Sequence, residues 1–373
     1  QVKISGDAWR GDHTSIELDG HEPLILTQDF TIIDFFTPTT PSSRSGAMLA
    51  INHRNDALRG QPGLIIRADG CEISGMGMME NADYSIAIEG GSDNRVVGSI
   101  TTGITVSGFN GQPAERNIIG GTMPGEGNIL SNEGRGLGGT VLIFGCGSND
   151  NVVVGNLLQG VGISGSPFCD PSIEFPTNNR IGGPTPAERN VINNFGGTNG
   201  TGCAEGSGVD IQWAKQTTIE GNYIGTSSDG LSRANSGSFG IILKESDDTV
   251  IRGNVIAGLR RSGVSGCSQT LFGTAIAITA FSRSTDGLLI EDNIIGLDAN
   301  GENRVDTLQG IRVFNQPDPI INVLIRNNTI AQTDRFGIRA DGFNIDHVEI
   351  SENSIFANGG RGIEFAFGAN GNP

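Results

Sequence analysis

The sequence predicts an all-β solenoid, in which short strands stack coil upon coil along one axis. A strand-opening motif, small–apolar–any–apolar, returns six times in the second half of the chain at intervals of 25 to 35 residues. A second motif, Ile-x-x-Asn-x-Ile, follows five of these openings. Self-similarity at a period of roughly 20 to 50 residues is the signature of a repeat architecture. No segment of useful length has helical periodicity, so we expect strands to form the repeats.

The opening motif predicts one strand in each repeat. Its apolar residues alternate with variable ones, and this alternation is typical of a strand with one buried face. We therefore expect the first and third positions after the small residue in the core, and the second and fourth on the surface. The six openings begin at Gly208, Gly240, Ala275, Gly310, Gly337 and Gly362.

The second motif places an asparagine at one corner of each repeat. Asparagine tolerates the left-handed backbone conformation that a corner requires. Its side-chain amide can also bond the asparagine one coil away, so we predict a stacked ladder. The members of this ladder are Asn222, Asn254, Asn293, Asn328 and Asn353.

Looser copies of both motifs reach back towards the N-terminus and bring the total to about ten coils. Residues 1–45 carry strand signals of their own and are predicted to form the first coil and its cap. A cap is expected because the end of a solenoid otherwise exposes unpaired strand edges and apolar core. Residues 46–373 are predicted to form the body, with a loop-rich insertion around 162–206.

Composition and charge narrow the classes of function. Glycine supplies 58 of 373 residues without a Gly-X-Y period, which fits a protein rich in tight corners. The net charge of −17 disfavours a nucleic-acid binder, and no apolar run is long enough to span a membrane. The chain begins at Gln1 without a signal sequence, and we expect the mature form of a secreted protein, because Gly- and Asn-rich solenoids are usually exported.

The five cysteines do not have the spacing of a zinc site. Cys71 lies in an apolar strand and is predicted to be a buried thiol. Cys146, Cys169 and Cys203 lie near turns, where one disulfide among the three is expected. The remaining pairing and the oligomeric state are left open.

These motifs resemble the right-handed parallel β-helix proteins of the pectin-lyase-like superfamily. The resemblance rests on the strand openings, the asparagine corner, and segments such as Asn117-Ile-Ile-Gly-Gly-Thr and Gly221-Asn-Tyr-Ile-Gly-Thr. It implies a right-handed parallel β-helix of about ten coils. It also implies a secreted enzyme that cleaves a polysaccharide, expected to be anionic, by β-elimination or hydrolysis. The alternative is a non-catalytic extracellular adhesion module, because the same fold serves both functions.

In that superfamily the outer face of the opening strands is usually the floor of the polysaccharide groove. Near the C-terminus this face carries Arg312 and Arg339 in one column, with Phe314, Asp341 and Glu364 beside them. The two arginines and the phenylalanine are predicted to bind substrate, the arginines through its carboxylate or sulfate groups. Asp341 and Glu364, roughly 7 to 8 Å apart on adjacent strands, are predicted to be an acid/base pair. The alternative is an ion-pair ladder on the surface.

A second charged cluster lies in the middle of the chain. Asp210 and Lys244 occupy diagonal outward positions and are predicted to be catalytic. Trp213 is predicted to stack against a sugar ring, with Glu245 also binding substrate. The cluster faintly resembles the chondroitinase-B-like alginate lyases, in which a Lys and an Arg transfer protons and calcium binds the uronate. The alternative is a plain salt bridge between Lys244 and Asp210.

Loop acids supply the only candidate metal ligands in the sequence. Asp229, Asp298 and the pair Asp247 and Asp248 offer oxygen atoms of the kind that calcium prefers. The alternative is that they are solvated turn residues. We therefore expect no required cofactor, with calcium as the alternative, and leave the metal ligands unassigned.

Overall fold

The fold consists of thirty-six short strands in three parallel sheets of twelve strands each. Successive strands enter sheets I, II and III in turn, so that three strands complete one coil. The structure is a computed structural model. It describes residues 64–78, 86–131, 139–166, 175–195, 206–234, 237–259, 273–315, 317–366 and 369 and, of residues 1–63, only the strands.

The strands are numbered β1 to β36 along the chain. Sheet I contains, in stacking order, β1 (Lys3–Ile4), β4 (Ile32–Asp34), β7 (Glu72–Ser74), β10 (Arg95–Val97), β13 (Ile118–Gly120), β16 (Val152–Val154), β19 (Arg180–Gly182), β22 (Thr218–Glu220), β25 (Val250–Arg252), β28 (Thr285–Glu291), β31 (Ile320–Arg326) and β34 (Ile345–Ser351). Sheet II contains β2 (Ser15–Glu17), β5 (Leu49–Asn52), β8 (Met76–Met78), β11 (Ile100–Thr101), β14 (Ile129–Leu130), β17 (Leu157–Leu158), β20 (Val191–Ile192), β23 (Tyr223–Ile224), β26 (Val255–Ile256), β29 (Ile294–Ile295), β32 (Thr329–Ala331) and β35 (Ser354–Phe356). Sheet III contains β3 (Leu24–Leu26), β6 (Leu64–Ile66), β9 (Ile86–Glu89), β12 (Gly103–Ser107), β15 (Thr140–Phe144), β18 (Gly160–Ser164), β21 (Ser207–Gln212), β24 (Phe239–Lys244), β27 (Thr274–Ala280), β30 (Gln309–Asn315), β33 (Ile338–Asp341) and β36 (Ile363–Ala366).

This arrangement is the predicted right-handed parallel β-helix, with twelve coils rather than about ten. We number the coils 1 to 12, so that coil 1 holds β1 to β3 and coil 12 holds β34 to β36. The additional coils come from the N-terminal part, where β1 to β6 form two coils although the sequence motif is loose. Within the span 162–206, strands β19 and β20 continue the stack in register.

The predicted inward positions form the core. In coils 7 to 11 both inward residues of every sheet III strand are essentially inaccessible to solvent. These residues are Val209, Ile211, Ile241, Leu243, Ile276, Ile278, Ile311, Val313, Ile338 and Ala340. Coil 12 differs, because no strand of the described residues stacks beyond it: Ile363 is exposed, and Ile350, Ile355 and Phe365 are only partly buried.

The predicted asparagine ladder exists and is longer than the sequence motif indicated. Each side-chain oxygen accepts the backbone N–H of the asparagine in the preceding coil, as Asn254 Oδ1 does from Asn222 at 2.9 Å. Eight members run between sheets I and II: Asn128, Asn156, Asn190, Asn222, Asn254, Asn293, Asn328 and Asn353. A second ladder, which the sequence analysis missed, runs between sheets III and I: Asn94, Asn117, Asn151 and Asn179.

The two cysteines of the described residues agree with their predicted states. Cys71 is a buried thiol whose Sγ lies 3.8 Å from the Asp69 carbonyl oxygen, and Cys146 is disulfide-bonded. Cys169, Cys203 and Cys267 lie outside the described residues. In the part of the chain that the structure describes, we find no helix with the length and apolar character needed to cross a membrane.

Candidate functional site on the outer face of sheet III

The outward side chains of sheet III form columns that run along the helix axis. One column contains, coil by coil, Asp210, Ile242, Ala277, Arg312, Arg339 and Glu364. The next column contains Gln212, Lys244, Thr279, Phe314, Asp341 and Ala366. The register therefore confirms that the two predicted clusters lie on one face of one sheet.

The first cluster is centred on an ion pair between Asp210 and Lys244. The Lys244 ammonium donates to Asp210 Oδ2 at 2.8 Å across adjacent coils, as the diagonal register requires. Asp210 keeps 38% of its side chain exposed and Lys244 keeps 28%. Both groups therefore remain open to a ligand while the opposite charge holds each in place.

Trp213 follows β21 directly and is half-buried beside this pair. Its backbone lies in the left-handed region (φ 48°), and its N–H donates to the Lys244 carbonyl at 3.1 Å. The neighbouring coil must leave room for this turn, because a Cβ on Gly165 would overlap the Trp213 carbonyl oxygen. The fold thus places Trp213 within one coil of both charged groups.

Glu245, predicted to bind substrate, has a different place in the structure. It is buried, and its Oε1 accepts the backbone N–H groups of Phe281 at 2.8 Å and Ser282 at 3.3 Å. A carboxylate that caps a turn from below cannot also contact a ligand on the surface. We therefore correct its role to a structural one, which the sequence could not reveal because it depends on a turn 36 residues away.

The second cluster is a continuous network of ion pairs rather than an open site. Asp341 accepts from Arg312 at both oxygens, 2.9 and 3.0 Å, and from Arg339 at 2.9 Å. Arg339 also donates to Glu364 at 3.3 Å, and Arg361 completes the network with a 2.8 Å bond to the same carboxylate. The geometry of this cluster is therefore that of an ion-pair ladder, the alternative to a substrate site given in the sequence analysis.

The members of this network differ in how much of each side chain is exposed to solvent. The Arg312 and Asp341 side chains keep only 8% and 5% of their surface, whereas Arg339 and Glu364 are half-buried. Phe314 packs against Arg312, whose guanidinium carbon lies 5.0 Å from the ring centroid. The expectation that Arg312 and Asp341 contact substrate directly is therefore corrected, because both are enclosed and satisfied by each other.

An apolar floor lies between the two clusters. Phe239, Ile242 and Ala277 form a small buried group on the outer side of the sheet, apart from the core. Counted along the stack, Asp210 on coil 7 and Asp341 on coil 11 are about 19 Å apart at a strand spacing of about 4.8 Å. The two clusters are therefore independent sites.

Two ion pairs on sheet I differ from the pair of Asp210 and Lys244 in which partner is buried. Arg252 binds Glu220 through two nitrogen atoms, and Arg326 binds Glu291 in the same way. In both pairs the carboxylate is mostly buried and the arginine is exposed. In the pair of Asp210 and Lys244 the carboxylate is more exposed than its basic partner, as it also is in the pair of Glu72 and Arg95 on sheet I.

One further charged group, missed by the sequence analysis, lies at the corner behind Glu245. Asp247 forms an ion pair with Arg283, and Arg283 also donates to the Glu245 carbonyl at 3.2 Å. Burial raises the pKa of the Asp247 carboxyl above its ordinary value, although Arg283 opposes the shift. The signal in the sequence is the acidic pair Asp247 and Asp248, for which the sequence analysis gives calcium ligands or solvated turn residues as the two interpretations.

Comparisons with known structures agree with the architecture. The catalytic domain of a GH87 alpha-1,3-glucanase in complex with nigerose aligns with 100% of this chain, with a TM-score of 0.60 and 13% identity. The chain has a parallel β-helix fold. It spans 62% of the length of that glucanase domain. A variant of the glucanase domain in complex with tetrasaccharides aligns with 97% of the chain and 61% of its own length, with a TM-score of 0.54 and 15% identity.

A further β-helix of similar outline is the A-module of the mannuronan C-5 epimerase AlgE4 from Azotobacter vinelandii. It aligns with 94% of this chain and 86% of its own length, with a TM-score of 0.48 and 12% identity. No protein-family model matches the sequence, and no curated protein is significantly similar to it. At these identities the likeness concerns the fold alone.

Two of the loop acids, Asp229 and Asp298, are engaged in their own turns. Asp229 accepts from Ser227 Oγ at 2.6 Å, and Asp298 accepts from the Asn303 side chain at 2.7 Å. Within the described ranges, no group of three or more His, Cys, Asp or Glu residues has the geometry of a metal site.

Proposed function

We propose that this β-helix is a carbohydrate-active protein whose site is the outer face of sheet III around Asp210 and Lys244. The observation that carries the proposal is the exposed carboxylate of Asp210, held by Lys244 beside Trp213. Carbohydrate sites combine an aromatic platform with a few oriented polar groups. The fold likeness to a glucanase catalytic domain supports the same class of ligand.

The charges of the face favour a neutral glycan, in contrast to the anionic substrate expected from the sequence. Arg312 and Arg339 were the reason for that expectation, and both are already paired with carboxylates. Lys244 is likewise neutralised by Asp210. A polyanion would also approach a chain of net charge −17 against long-range repulsion. We therefore infer a neutral substrate, for which cleavage means hydrolysis rather than β-elimination.

In a hydrolysis reaction Asp210 would act in its ionised form. The Asp210 carboxylate is held by Lys244 at 2.8 Å and remains partly exposed, so it is placed to activate water or to stabilise positive charge on the sugar ring. Glycoside hydrolysis generally uses two carboxyl groups within about 10 Å of each other. Asp341 and Glu364 are four and five coils away, which excludes them as partners of Asp210 on one bond.

That separation favours a second candidate function, a module that binds a glycan without cleaving it. Among the described outward residues of sheet III, no other carboxylate lies on the coils adjacent to Asp210. A binding module needs only the aromatic platform and the polar pair. The two candidates therefore share one site and differ in whether product forms.

We further propose that the protein works in an oxidising compartment outside the cytosol. The disulfide at Cys146 supports this, because disulfides persist in secreted proteins and are rare in the cytosol.

The test is a panel of neutral and acidic polysaccharides, measured for binding and for release of reducing ends. Ultraviolet absorbance of unsaturated ends reports β-elimination in the same samples. A hydrolase releases reducing ends from a neutral glycan, whereas a binding module retains the glycan without product. A chain that neither binds nor cleaves any glycan would refute both candidates.

The assignment of the site is tested by Asp210→Asn against Glu291→Gln. Both changes neutralise a carboxylate of an ion pair in the middle of the stack, but Glu291 lies on sheet I. Asp210→Asn is expected to lower turnover at least about a hundredfold, the scale of general acid–base catalysis, or to weaken binding if no product forms. Glu291→Gln is expected to change neither. Unchanged turnover and unchanged binding in Asp210→Asn would place the site elsewhere.

A further inference from the structure

The exposed phenylalanines are concentrated at one corner of the β-helix. Among the described residues, four phenylalanines are exposed: Phe144, Phe281, Phe343 and Phe356. Three of them lie where the strands of sheet III end: Phe144 closes β15, Phe281 follows β27, and Phe343 lies two residues after β33. Trp213 lies at the same corner, directly after β21.

These four aromatic residues recur on every second coil. Phe144 belongs to coil 5, Trp213 to coil 7, Phe281 to coil 9 and Phe343 to coil 11. At a strand spacing of about 4.8 Å, neighbouring members are roughly 9.6 Å apart along the axis and the row extends about 29 Å in that direction. The row is oblique to the axis, because Phe144 is level with Gln212 in the register, whereas Trp213 lies one position further along the chain and Phe281 and Phe343 lie two positions beyond Thr279 and Asp341 of the same column. Each of the three phenylalanines keeps a large surface in solvent: 42% for Phe144, 49% for Phe281 and 81% for Phe343. The core does not require large apolar side chains there, because the inward positions of these coils are already filled.

Buried groups fix the backbone beneath the row. The Glu245 carboxylate accepts the N–H groups of Phe281 and Ser282, so it shapes the turn that presents the Phe281 ring. The backbone N–H of Trp213 donates to the Lys244 carbonyl, and this bond connects Trp213, the second member of the row, to the ion pair of the proposed site. Several exposed aromatic rings that recur along one edge on fixed turns suit a preorganised binding surface.

We propose that Phe144, Trp213, Phe281 and Phe343 form an aromatic row that binds an unbranched neutral glycan along its length. The inference rests on the proposed function and specifies its ligand. A pyranose ring presents an apolar face that packs on an aromatic ring. In an extended chain one sugar is about as long as one strand spacing, so the row would contact every second sugar. From coil 5 to coil 11 it would hold about seven sugars.

The position of the ion pair in the row agrees with such a ligand. Asp210 and Lys244 lie on coils 7 and 8, so sugars extend past them in both directions. The ion pair would therefore cleave or bind the glycan at an internal sugar rather than at its end.

The experiment is titration calorimetry with unbranched neutral oligosaccharides of increasing length, in the linkage that the polysaccharide panel identifies. The variants are Phe144→Ala, Phe281→Ala and Phe343→Ala. Phe356→Ala is the matched control, because Phe356 is equally exposed but lies on sheet II. For the wild type, affinity is expected to rise with length until the chain covers the row, at about seven sugars.

Each row variant is expected to weaken binding of a heptasaccharide about tenfold, which corresponds to about 1.4 kcal/mol. Phe343→Ala and Phe144→Ala are expected to leave trisaccharide binding unchanged, because a short ligand needs only the central platforms. Phe281→Ala is expected to weaken both ligands, and Phe356→Ala neither.

The outcomes separate the row from the proposed function. If wild type binds a neutral glycan but the three variants bind the heptasaccharide as well as wild type does, the row is refuted and the proposed function stands. Affinity that is independent of length also refutes the row. If wild type binds no glycan in the panel, the proposed function fails and the row loses its ligand.

Discussion

Replacing Asn254 with alanine is expected to remove one of the most heavily bonded side chains of the asparagine ladder. Its amide nitrogen lies within hydrogen-bond distance of the Ile219 carbonyl at 2.9 Å, the Arg252 carbonyl at 3.0 Å and Asn293 Oδ1 at 3.0 Å. Its oxygen accepts the backbone N–H and the side-chain amide of Asn222 at 2.9 and 3.0 Å. The residue is fully buried, so water cannot replace these partners.

The magnitude follows from the groups left behind. The Asn222 N–H becomes a buried donor without an acceptor, which costs about 1–3 kcal/mol. The lost hydrogen bonds add about 1 kcal/mol each. The two bonds that the amide group can donate and the bond accepted from the Asn222 amide contribute about 3 kcal/mol, so we expect the free energy of unfolding to fall by roughly 4–6 kcal/mol, a large part of the stability of an ordinary domain. Urea unfolding followed by circular dichroism measures the change in midpoint and slope.

Asn353→Ala is the matched control at the end of the same ladder. Its oxygen accepts two bonds from Asn328, and its amide donates to the Ile325 and Ser351 carbonyls. Asn353 is only half-buried, so water can satisfy the groups that the substitution frees. We expect less than half the loss seen for Asn254→Ala. Equal losses at the two positions, or a loss below about 1 kcal/mol for Asn254→Ala, would refute the argument that burial makes the ladder stabilising.

Two further predictions concern stability. Gly182→Ala is expected to cost more than the about 1–2 kcal/mol of a left-handed backbone, because the φ is 80° and a Cβ would overlap Asn222 Oδ1. Gly253 has a φ of 63° and open space around it, so Gly253→Ala is expected to lower the free energy of unfolding only by the about 1–2 kcal/mol of the left-handed backbone. Similar melting temperatures for the two variants would contradict this prediction. For acid unfolding, burial raises the pKa of Glu188, but hydrogen bonds from Thr185 and Arg180 outweigh burial and lower it below the ordinary 4.5. The stabilisation by ionised Glu188 is therefore complete above pH 4.5 and is lost as the pH falls through the lowered pKa. In a plot of the urea midpoint against pH, Glu188→Gln is expected to reduce the fall of the midpoint on the acid side. An unchanged fall would assign the acid sensitivity to other groups.

The sequence predicted which side chains share the outer face, because register in a stacked strand depends only on the alternation of apolar residues. The contact between Asp210 and Lys244 follows from their places in the repeat, and so does the column of Arg312 and Arg339. Burial could not be predicted in this way. Glu245 is enclosed by the turn at Phe281, which belongs to the next coil.

The sequence by itself determined the architecture of this protein. Each repeat carries the same local pattern, and each coil buries its apolar residues only against its neighbours, so local information is sufficient for the core and for the Asn222 to Asn353 ladder. The tertiary structure decided which charges are open and which are enclosed, because corners and loops have no repeat and their contacts join residues far apart in the chain. The tertiary structure also brings the residues of the aromatic row together, since Phe144 and Phe343 lie at one corner only when the coils are stacked.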